Sequence, residues 1–410
     1  MKGAMAVHSI FDVGLLKTEL EEAGISANFI PVIWKYILDQ PNCQINDVPS
    51  LPSAAYPVLV SKFRPMTSIV ELVTNSEDKV TTKLLVRLQA VAEDPLCSCA
   101  QLCGGLNGSH VEAVIMRYDT RLGKYGGKPR PGGPRSTLCI SSQAGCKMSC
   151  KFCATGSMGF KCNLSSGEIV EQLVHASFIS SIRNVVFMGM GEPLNNYTAV
   201  VEAVQSMISF PFRLSPKRIT ISTVGIIPAI KKLKDDLPNV RLAVSLHAPI
   251  QDIRCQIMPA ASAFPLQRLM DVLHLYQEKW CNSDTLKNFI VFLAFSGQKI
   301  FIEYIMLDGI NDQEQHAHEL GKLLKTLDVV INLIPFNAIG SSSHFMSSSE
   351  QNVKKFQKML REVYKIRTTV RKQMGQDISG ACGQLVIKIS KPTSQLSASM
   401  ELPDIEDLHT

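Results

Sequence analysis

The chain has 410 residues, with 42 Lys and Arg against 36 Asp and Glu, and its formal net charge is +6. This length can bury a large core and suggests two or three domains, and the mildly basic balance is compatible with RNA binding without indicating it. No apolar run reaches about 18 residues, which excludes a membrane-spanning helix, and twelve cysteines without a secretory signal peptide exclude a disulfide scaffold.

The amino-terminal residues lack the apolar segment of a secretory signal and the Arg- and Ser-rich character of a transit peptide. We therefore interpret the start as mature protein. The cysteine usage favours a reducing compartment. The predicted location is cytoplasmic, with an organelle as the alternative.

Apolar residues recur at helical spacing between residues 10 and 40. Leu16 and Leu20 belong to one such repeat and Trp34 belongs to a second. We predict a small helical accessory domain over residues 1–80. Trp34 is expected in its core rather than on its surface as a base-stacking platform.

A β-hairpin extension is predicted next, because Lys83–Gln89 and His110–Tyr118 alternate apolar and polar residues. The loop between them contains Cys97, Cys99 and Cys103. Their spacing is not a familiar metal-binding spacing, so we interpret the loop as a thiol-rich insert, with zinc or a second cluster as the alternative.

Residues 119–135 consist largely of Gly, Pro and basic residues, which predicts a mobile arm that completes a unit over residues 81–135. The basic residues in and beside this arm are Arg117, Arg121, Lys124, Lys128, Arg130 and Arg135. A second basic cluster extends from Lys354 to Lys372. Both clusters are candidate contacts to an RNA backbone, although such clusters are more often solvated surfaces.

A parallel sheet is predicted over residues 136–340, since six apolar strand candidates alternate there with helical segments. The candidates are Thr137–Ser142, Asn184–Met190, Arg218–Val224, Arg241–His247, Ile300–Leu307 and Val329–Phe336. Six such units predict an α/β fold with a partial (βα)6 barrel. Residues 281–298 interrupt the unit before the fifth strand and are interpreted as an insertion.

Short Gly-rich or polar motifs follow these strands. A cysteine loop follows the first strand, G-M-G-E-P the second, S-L-H-A-P the fourth and P-F-N-A the sixth. The carboxyl ends of parallel strands share one edge of the sheet, and chemistry gathers at that edge. We therefore expect the functional site there.

The chain beyond residue 340 is predicted to form a carboxyl-terminal unit over residues 341–392. It contains an amphipathic helix over 351–366 and the Gly-flanked Cys382. The acidic residues that follow predict a disordered tail over 393–410.

Three cysteines carry the strongest chemical signal. Cys146, Cys150 and Cys153 form C-x3-C-x2-C, with the aromatic Phe152 before the last cysteine. Structural zinc sites and ordinary ferredoxin sites take four ligands, so three cysteines would leave one iron of a [4Fe–4S] cluster open. Three reduced thiols, or a zinc site completed from elsewhere, are the alternatives. The spacing is similar to that of the radical S-adenosylmethionine (radical-SAM) superfamily, in which the open iron holds the methionine end of SAM.

The strand-end motifs offer candidates for binding SAM. Glycine at 191 lets the backbone approach a ligand, and the carboxylate of Glu192 can accept a hydrogen bond from the SAM amino group. The SAM-binding candidates are Gly191, Glu192, Ser222, Ser245, Leu246, His247 and Asn337. Taken singly, each polar member of this set is more often an ordinary loop hydrogen-bonder.

Taken together, the motifs resemble the RlmN/Cfr family of radical-SAM RNA methyltransferases, and its RlmN branch most. The matching stretches are VEAV (111–114), TLCISSQAGC (137–146), CKFC (150–153), GMGEPL (189–194), SLHAP (245–249), IEYIMLDGIND (302–312), INLIPFN (331–337) and ACGQL (381–385). They cover essentially all of residues 110–390.

The resemblance implies a mechanism that uses two SAM molecules per turnover. One SAM methylates Cys382, and the second supplies a radical that takes hydrogen from that methyl group. The carbon then adds to C2 of an adenosine, with Glu112 as the base for the adenine proton. Cys139 attacks the sulfur of Cys382 and frees the product as a disulfide bond forms. A thiolate accepts a methyl group from SAM far more readily than an sp² adenine carbon does.

The resemblance also implies the partners. They are ribosomal or transfer RNA, whose adenosine leaves its stack to enter the barrel, and an electron donor such as a flavodoxin-like reductant. The expected state is a monomer without membrane contact. The arm, the cysteine loop at 90–109 and the insertion are longer than in typical bacterial members. Three alternatives stay open: a radical-SAM enzyme with a peptide or small-molecule substrate, adenosine-C8 methylation, and a non-catalytic iron–sulfur or zinc protein that binds RNA.

Overall fold

The structure, a computed structural model, describes residues 7–88, 109–119, 124–125, 128–129, 133–278, 298–339 and 344–385. Four sequence predictions lie wholly or largely outside these residues. They are the loop of Cys97, Cys99 and Cys103, the basic arm at 119–135, the insertion at 281–298 and the disordered tail at 393–410.

The helices follow the apolar periodicity of the sequence. They are α1 (Val13–Glu22), α2 (Ile30–Asp39), α3 (Ala55–Lys62), α4 (Ala154–Ser157), α5 (Ser166–Ser177), α6 (Tyr197–Ile208), α7 (Ile227–Asp236), α8 (Gln251–Ile257), α9 (Leu266–Gln277), α10 (Glu314–Leu324) and α11 (Glu350–Glu362). Helices α1–α3 form the accessory unit, and the barrel helices pack as the neighbouring pairs α5–α6, α7–α9 and α10–α11.

The strands are short and mostly buried. They are β1 (His8–Ser9), β2 (Phe63–Arg64), β3 (Ser68–Asn75), β4 (Thr81–Leu88), β5 (His110–Asp119), β6 (Lys124–Tyr125), β7 (Lys128–Pro129), β8 (Pro134–Cys139), β9 (Gln143–Gly145), β10 (Phe160–Asn163), β11 (Ile182–Phe187), β12 (Ile219–Thr223), β13 (Arg241–Ser245), β14 (Ile300–Met306), β15 (Val329–Pro335) and β16 (Arg367–Val370).

A ten-stranded sheet organises the molecule, in the order β16-β15-β14-β13-β12-β11-β8-β5-β4-β3. The strands from β8 to β16 in this order pair in parallel, and β5, β4 and β3 extend the sheet as an antiparallel wing. The predicted α/β fold with six parallel units is confirmed, since β8 and β11–β15 correspond to the six candidates.

Two strands of this sheet were not anticipated. Strand β3 falls inside the stretch assigned to helices over residues 1–80. It is an edge strand, and its apolar residues come in adjacent pairs, Ile69–Val70 and Leu72–Val73, so they do not alternate with polar ones. Strand β16 adds a seventh parallel strand, and its four residues are too few to show a period. The predicted hairpin is confirmed as the antiparallel pair β4–β5.

Trp34 lies in the core of the accessory unit, as predicted. It is 2% exposed, and its indole Nε1–H donates to the carbonyl oxygen of Ile10 at 2.8 Å. Its ring packs against Phe11 and against Phe212, which follows α6. This aromatic contact joins the accessory unit to the barrel. Within the described ranges, no helix has the length and apolar character needed to cross a bilayer.

A buried carboxylate makes the same connection with polar groups. Glu171 of α5 is 0% exposed. One of its oxygens accepts hydrogen bonds from the Ser9 hydroxyl at 2.6 Å, from the Thr67 N–H at 2.8 Å and from the Thr67 hydroxyl at 2.9 Å. Its other oxygen accepts from the Ser68 hydroxyl. These donors satisfy a carboxylate that burial alone would make costly, and they fix the start of β3 against α5.

Replacing Glu171 by Leu should lower the free energy of unfolding by about 3 kcal/mol, because it leaves several buried donors without an acceptor. Urea denaturation would measure this loss, and hydrogen exchange should show earlier opening of α1 and α2. Glu21→Leu is the matched control, since Glu21 is an exposed carboxylate 3.8 Å from Lys17. A change of less than about 0.5 kcal/mol is expected for it. Equal effects of the two variants would contradict the proposed connection.

Candidate active site

The cysteine loop begins just after β8 and is shaped by the short antiparallel pair β9–β10. The N–H of Cys146 donates to the carbonyl of Gly159 at 2.9 Å. Gly145 has φ +75°, and a Cβ there would lie 1.9 Å from that carbonyl oxygen, so the turn requires glycine. Helix α4 begins directly after Cys153. As a result Cys146, Cys150 and Cys153 line one pocket.

The three thiols are electrostatically unfavourable as bare thiolates. Burial raises the pKa of Cys146 to about 12. Burial, followed by repulsion from its two neighbours, raises the pKa of Cys150, and burial also raises that of Cys153. A metal group that binds thiolates supplies the missing positive charge. Among the described residues, no three His, Cys, Asp or Glu side chains converge closely enough to hold a single ion. The donor set of three cysteines fits a [4Fe–4S] cluster with one open iron.

Gly191 and Glu192 lie on the wall of the same pocket. Gly191 has φ +97°, and a Cβ there would lie 2.5 Å from the Cβ of Gln143. The Glu192 carboxylate is 3% exposed and accepts from the N–H groups of Leu194 at 3.0 Å and Val224 at 2.8 Å. Burial raises the pKa of Glu192 to about 7 against these hydrogen bonds. A bound ammonium group would restore its ionisation, which suits the amino group of SAM.

The next strands add small polar groups to this wall. Ser222 of β12 and Ser245 of β13 line the pocket, with their hydroxyl oxygens 3.5 Å apart. His247 follows β13, and its Nδ1 accepts the N–H of Ile305 at 3.1 Å, so Nε2 carries the proton. Burial lowers the pKa of His247 to about 3. Its ring meets Phe152 of the cysteine loop edge-on, with 4.8 Å between ring centroids.

A buried arginine, which the sequence did not single out, holds these loops together. Arg254 of α8 is 0% exposed. Its guanidinium donates to the carbonyls of Leu246 at 3.2 Å, Val224 at 2.6 Å and Phe264 at 3.1 Å. The first two carbonyls follow β13 and β12. Leu246, a predicted SAM-binding residue, is fully buried and is not among the residues that line the pocket.

Cys382 lies where this pocket adjoins a second one. The second pocket is lined by Cys139 at the end of β8, and both Cys382 and Arg371 line the two pockets. The loop of Cys382 is hydrogen-bonded to α4, since the Ala154 N–H donates to the carbonyl of Gly383 at 2.7 Å. Residues far apart in sequence thus meet beside the cysteine loop.

Asn337 supports the Cys382 loop and lines the second pocket rather than the first. Its Nδ2 donates to the carbonyl of Cys382 at 2.9 Å. Its Oδ1 accepts from the side-chain amides of Gln373 at 3.2 Å and Gln376 at 2.8 Å. Asn337, a predicted SAM-binding residue, therefore lies beside the expected pocket, and its contacts are to the Cys382 loop and its neighbours.

The described cysteines, including Cys139 and Cys382, are free thiols. The disulfide bond expected from the resemblance is therefore absent from this structure. Cys139 is 7% exposed, and burial, with repulsion from Cys382, raises the pKa of its thiol to about 12, while attraction to Arg371 opposes the shift. A thiol held in its protonated form is slow to act as a nucleophile.

Glu112 lies near this pocket without lining it. It is 3% exposed on β5, and its Oε1 is 3.0 Å from the Nζ of Lys83. Val114, two residues further along β5, pairs directly with Cys139 and lines the pocket. Residues two apart on a strand share a face, so Glu112 faces the same side as Cys139.

Sequence reasoning missed a buried carboxylate on β14. Glu303 is 3% exposed and lines the first pocket. Its Oε1 accepts from the Asn332 Nδ2 at 2.9 Å, and its Oε2 has no hydrogen-bond partner among the described residues. Burial raises its pKa, with attraction to Arg371 opposing. A lone charged residue in the apolar run I-F-I-E-Y-I-M was the signal that could have identified it.

Arg371 was hidden in the basic cluster from Lys354 to Lys372, which we interpreted as a contact to RNA. The structure divides that cluster. Lys354 forms an exposed pair with Glu350 at 2.6 Å, whereas Arg371 lines both pockets. Burial alone would lower the pKa of Arg371, but attraction to Cys382 and the nearby acids outweighs it and raises the pKa. Arg371 is therefore a permanent positive charge between the two cysteines.

The fold and the cysteine loop define a radical-SAM protein. The sequence model of the Radical SAM superfamily matches residues 140–320. A crystal structure of a radical SAM methyltransferase from Sphaerobacter thermophilus superposes with a TM-score of 0.73 and 30% identity, over 93% of this chain and 99% of that chain.

Two relatives show to which family of radical-SAM proteins the chain belongs. The chain is 34% identical over 388 residues to the ribosomal RNA large subunit methyltransferase N of Nitrosopumilus maritimus, covering 90% of this chain and 97% of that protein. It is 36% identical to the dual-specificity RNA methyltransferase RlmN 1 of Myxococcus xanthus, covering 82% of each. The chain belongs to the RlmN family of radical-SAM methyltransferases.

Alkylation by iodoacetamide should distinguish the two pocket cysteines. The half-buried Cys382 should react first, and the rate at Cys139 should rise about tenfold per pH unit between pH 7 and 9, because its pKa of about 12 lies far above this window.

Arg371→Met should slow the reaction of Cys139, since it removes a charge that stabilises the thiolate. Arg367 is exposed at the start of β16, the strand that directly precedes Arg371, and provides the control Arg367→Met. Peptide mass spectrometry would measure both rates, and equal rates in the two variants would refute the role of Arg371.

Proposed function

We propose that this protein methylates C2 of an adenosine in ribosomal RNA, transfer RNA or both, and that Cys382 carries the methyl group to the base. The single observation that carries this proposal is the position of Cys382. It lies on the wall shared by the pocket of the three loop cysteines and the pocket of Cys139. A methyl carrier must face the donor in one step and the acceptor in the next.

The pocket residues divide into two groups by their chemistry. Cys146, Cys150 and Cys153 would hold the cluster. Gly191, Glu192 and the hydroxyls of Ser222 and Ser245 would hold SAM beside it. When bound, the cluster and SAM supply a carbon radical that removes one hydrogen atom from a methyl group. The RlmN relatives, named as RNA methyltransferases, support RNA as the substrate class.

Cys382 first acts as a nucleophile. Its sulfur takes the methyl group of one SAM, so a new carbon–sulfur bond forms as the sulfonium loses its methyl group. Arg371 lines the same two pockets as this thiol. Glu303 would balance the guanidinium and, with its unpaired oxygen, offers an acceptor for a ribose hydroxyl of SAM. After a second SAM has reacted, the carbon on Cys382 bonds to C2 of the adenine, Glu112 would take the proton from C2, and the one electron left on the adduct would pass to the oxidised cluster.

Cys139 would carry out the last step of the reaction, the release of the product. Its thiolate attacks the sulfur of Cys382, a disulfide bond forms, and the carbon–sulfur bond to the methylated base breaks with uptake of a proton by the freed methyl group. The high pKa of Cys139 suits this late role, because a protonated thiol does not compete with Cys382 for the first methyl group. A reductant must then restore both thiols and supply the electron for SAM cleavage. A flavodoxin-like donor in a reducing compartment fits that demand.

The direct test is product formation. Anaerobically reconstituted protein, labelled SAM and total ribosomal or transfer RNA should give 2-methyladenosine after digestion to nucleosides. The finding of 8-methyladenosine, or of label in no nucleoside despite active SAM cleavage, would overturn the proposal.

Cys382→Ala should abolish methyl transfer, by at least about a thousandfold, while reductive cleavage of SAM continues, because three other cysteines hold the cluster. Cys43→Ala is the matched control, since Cys43 is a partly exposed free thiol in the accessory unit. Nucleoside analysis and iron content would be measured on the same samples. Loss of iron from the Cys382 variant would contradict its assignment as methyl carrier.

Cys139→Ala should instead arrest the reaction after the base has bonded to Cys382. A covalent protein–RNA adduct should accumulate, visible as a shifted band on a denaturing gel and as a nucleotide mass on the Cys382 peptide. Normal turnover in this variant would exclude Cys139 as the residue that releases the product.

A further inference from the structure

A basic groove lies at the end of the parallel strands that is opposite to the candidate active site. A groove of about 590 Å³ opens at the amino ends of β8, β11 and β12. Five arginines line it: Arg117, Arg135, Arg183, Arg213 and Arg218. We call it the arginine groove. Arg241, the first residue of β13, lies at its border.

The parallel pairing of the strands explains how these arginines gather. Arg135, Arg183 and Arg241 occupy the first or second position of β8, β11 and β13, and Arg218 directly precedes β12. The starts of parallel strands share one edge, so the four charges meet there. Burial, with repulsion from Arg218 and Arg135, lowers the pKa of Arg241, which shows how close the charges are.

The guanidinium groups are oriented but not neutralised. None of the six arginines forms an ion pair within the part of the chain that the structure describes. Three of them lie on aromatic faces instead, among them Arg241, which is 5.7 Å from the ring centre of Phe301. Arg135 is 5.6 Å from the ring centre of Tyr118, and Arg213 is 4.8 Å from that of Phe210.

Neutral polar groups surround the guanidinium groups of the arginine groove. Arg218 donates to the Asn184 side chain at 3.3 Å, and Arg117 donates to the Thr82 hydroxyl at 2.7 Å. The hydroxyls of Ser136 and Ser180 lie 2.7 Å apart in the same groove. Several fixed guanidinium groups with hydroxyl donors, and without carboxylates among the described lining residues, are suited to several phosphate groups at once.

The groove cannot contact the reacting base. Strand β8 runs from Pro134 in the groove to Cys139 in the candidate active site, five residue steps that span roughly 17 Å. We propose that the arginine groove binds backbone phosphates of the RNA substrate at a distance from the adenosine that reacts. This inference rests on the proposed function and adds to it the place where the body of the RNA is held.

Binding of this kind has a defined signature. Phosphate contacts strengthen RNA binding independently of sequence and make it dependent on salt, since each contact releases counterions. Neutralising them should therefore raise the RNA concentration needed for half-maximal rate and leave the rate at saturating RNA unchanged. SAM cleavage without RNA should also be unchanged, because the groove lies at the other end of the strands.

The test uses the reconstituted holoenzyme with Arg135→Gln, Arg183→Gln and Arg218→Gln combined. RNA affinity should fall by about tenfold or more, and the slope of log affinity against log salt should shrink by about 2 to 3. The matched control is Lys17→Gln, Lys35→Gln and Lys322→Gln, which removes the same charge from exposed lysines that already pair with carboxylates. Equal losses in both triple variants would reduce the effect to net charge and overturn the proposal.

Replacing the same three arginines by lysine keeps the charge, so most of the salt slope should return. Unchanged affinity and slope in the glutamine variant, with methylation intact, would overturn the groove proposal alone. RNA binding by the unaltered protein that never yields methyladenosine would overturn the proposed function instead. Competition by polyglutamate as strong as competition by polyphosphate would assign the groove to an acidic protein, which also contradicts the proposal.

Discussion

The parallel pairing of seven strands is the constraint on which the rest of the structure depends. It sends all their carboxyl ends to one edge and all their amino ends to the other. The cysteine loop, the Gly191 turn and the hydroxyls of Ser222 and Ser245 therefore meet, although they are far apart in sequence. The same pairing gathers Arg135, Arg183 and Arg218 at the opposite edge. Two sites of different character thus arise from one sheet.

Charged side chains have different partners at the carboxyl and amino ends of the parallel strands. At the carboxyl end, two buried charged groups have fixed partners: three carbonyls accept from Arg254, and backbone N–H groups donate to Glu192. Such preorganised groups need no rearrangement when a ligand binds. At the amino end, the arginines lie against rings and hydroxyls, and in the described residues they have no carboxylate partner. The first arrangement suits a small ligand held in one pose, and the second suits a long anion held at several points.

The loop of Cys382 connects the parts of the candidate active site. Its backbone accepts hydrogen bonds from the Ala154 N–H at 2.7 Å and, at Leu385, from the Thr155 hydroxyl at 2.6 Å. Both donors belong to α4, which directly follows Cys153. Formation of the cysteine loop and placement of Cys382 are therefore coupled through hydrogen bonds. Asn337 fixes the same loop from the end of β15.

The sequence by itself determined the architecture and the chemistry of the loop. Apolar runs of strand length separated by helical repeats predicted the six parallel units, and C-x3-C-x2-C with Cys382 predicted three metal ligands and a remote thiol. These signals are local, because periodicity and ligand spacing are properties of short segments. The apolar pattern also predicted the accessory helices, including the buried Trp34, but it missed β3, whose apolar residues do not alternate with polar ones.

The tertiary structure alone decided which distant charges meet. In the sequence, Arg371 is one of many basic residues. The pairing of β16 with β15 places it in the wall of the two pockets, beside Cys139 and Cys382. Glu303, Arg254 and the arginine groove were hidden for the same reason. Each depends on contacts between residues of different elements, and such contacts follow from strand order and packing, which no local pattern encodes.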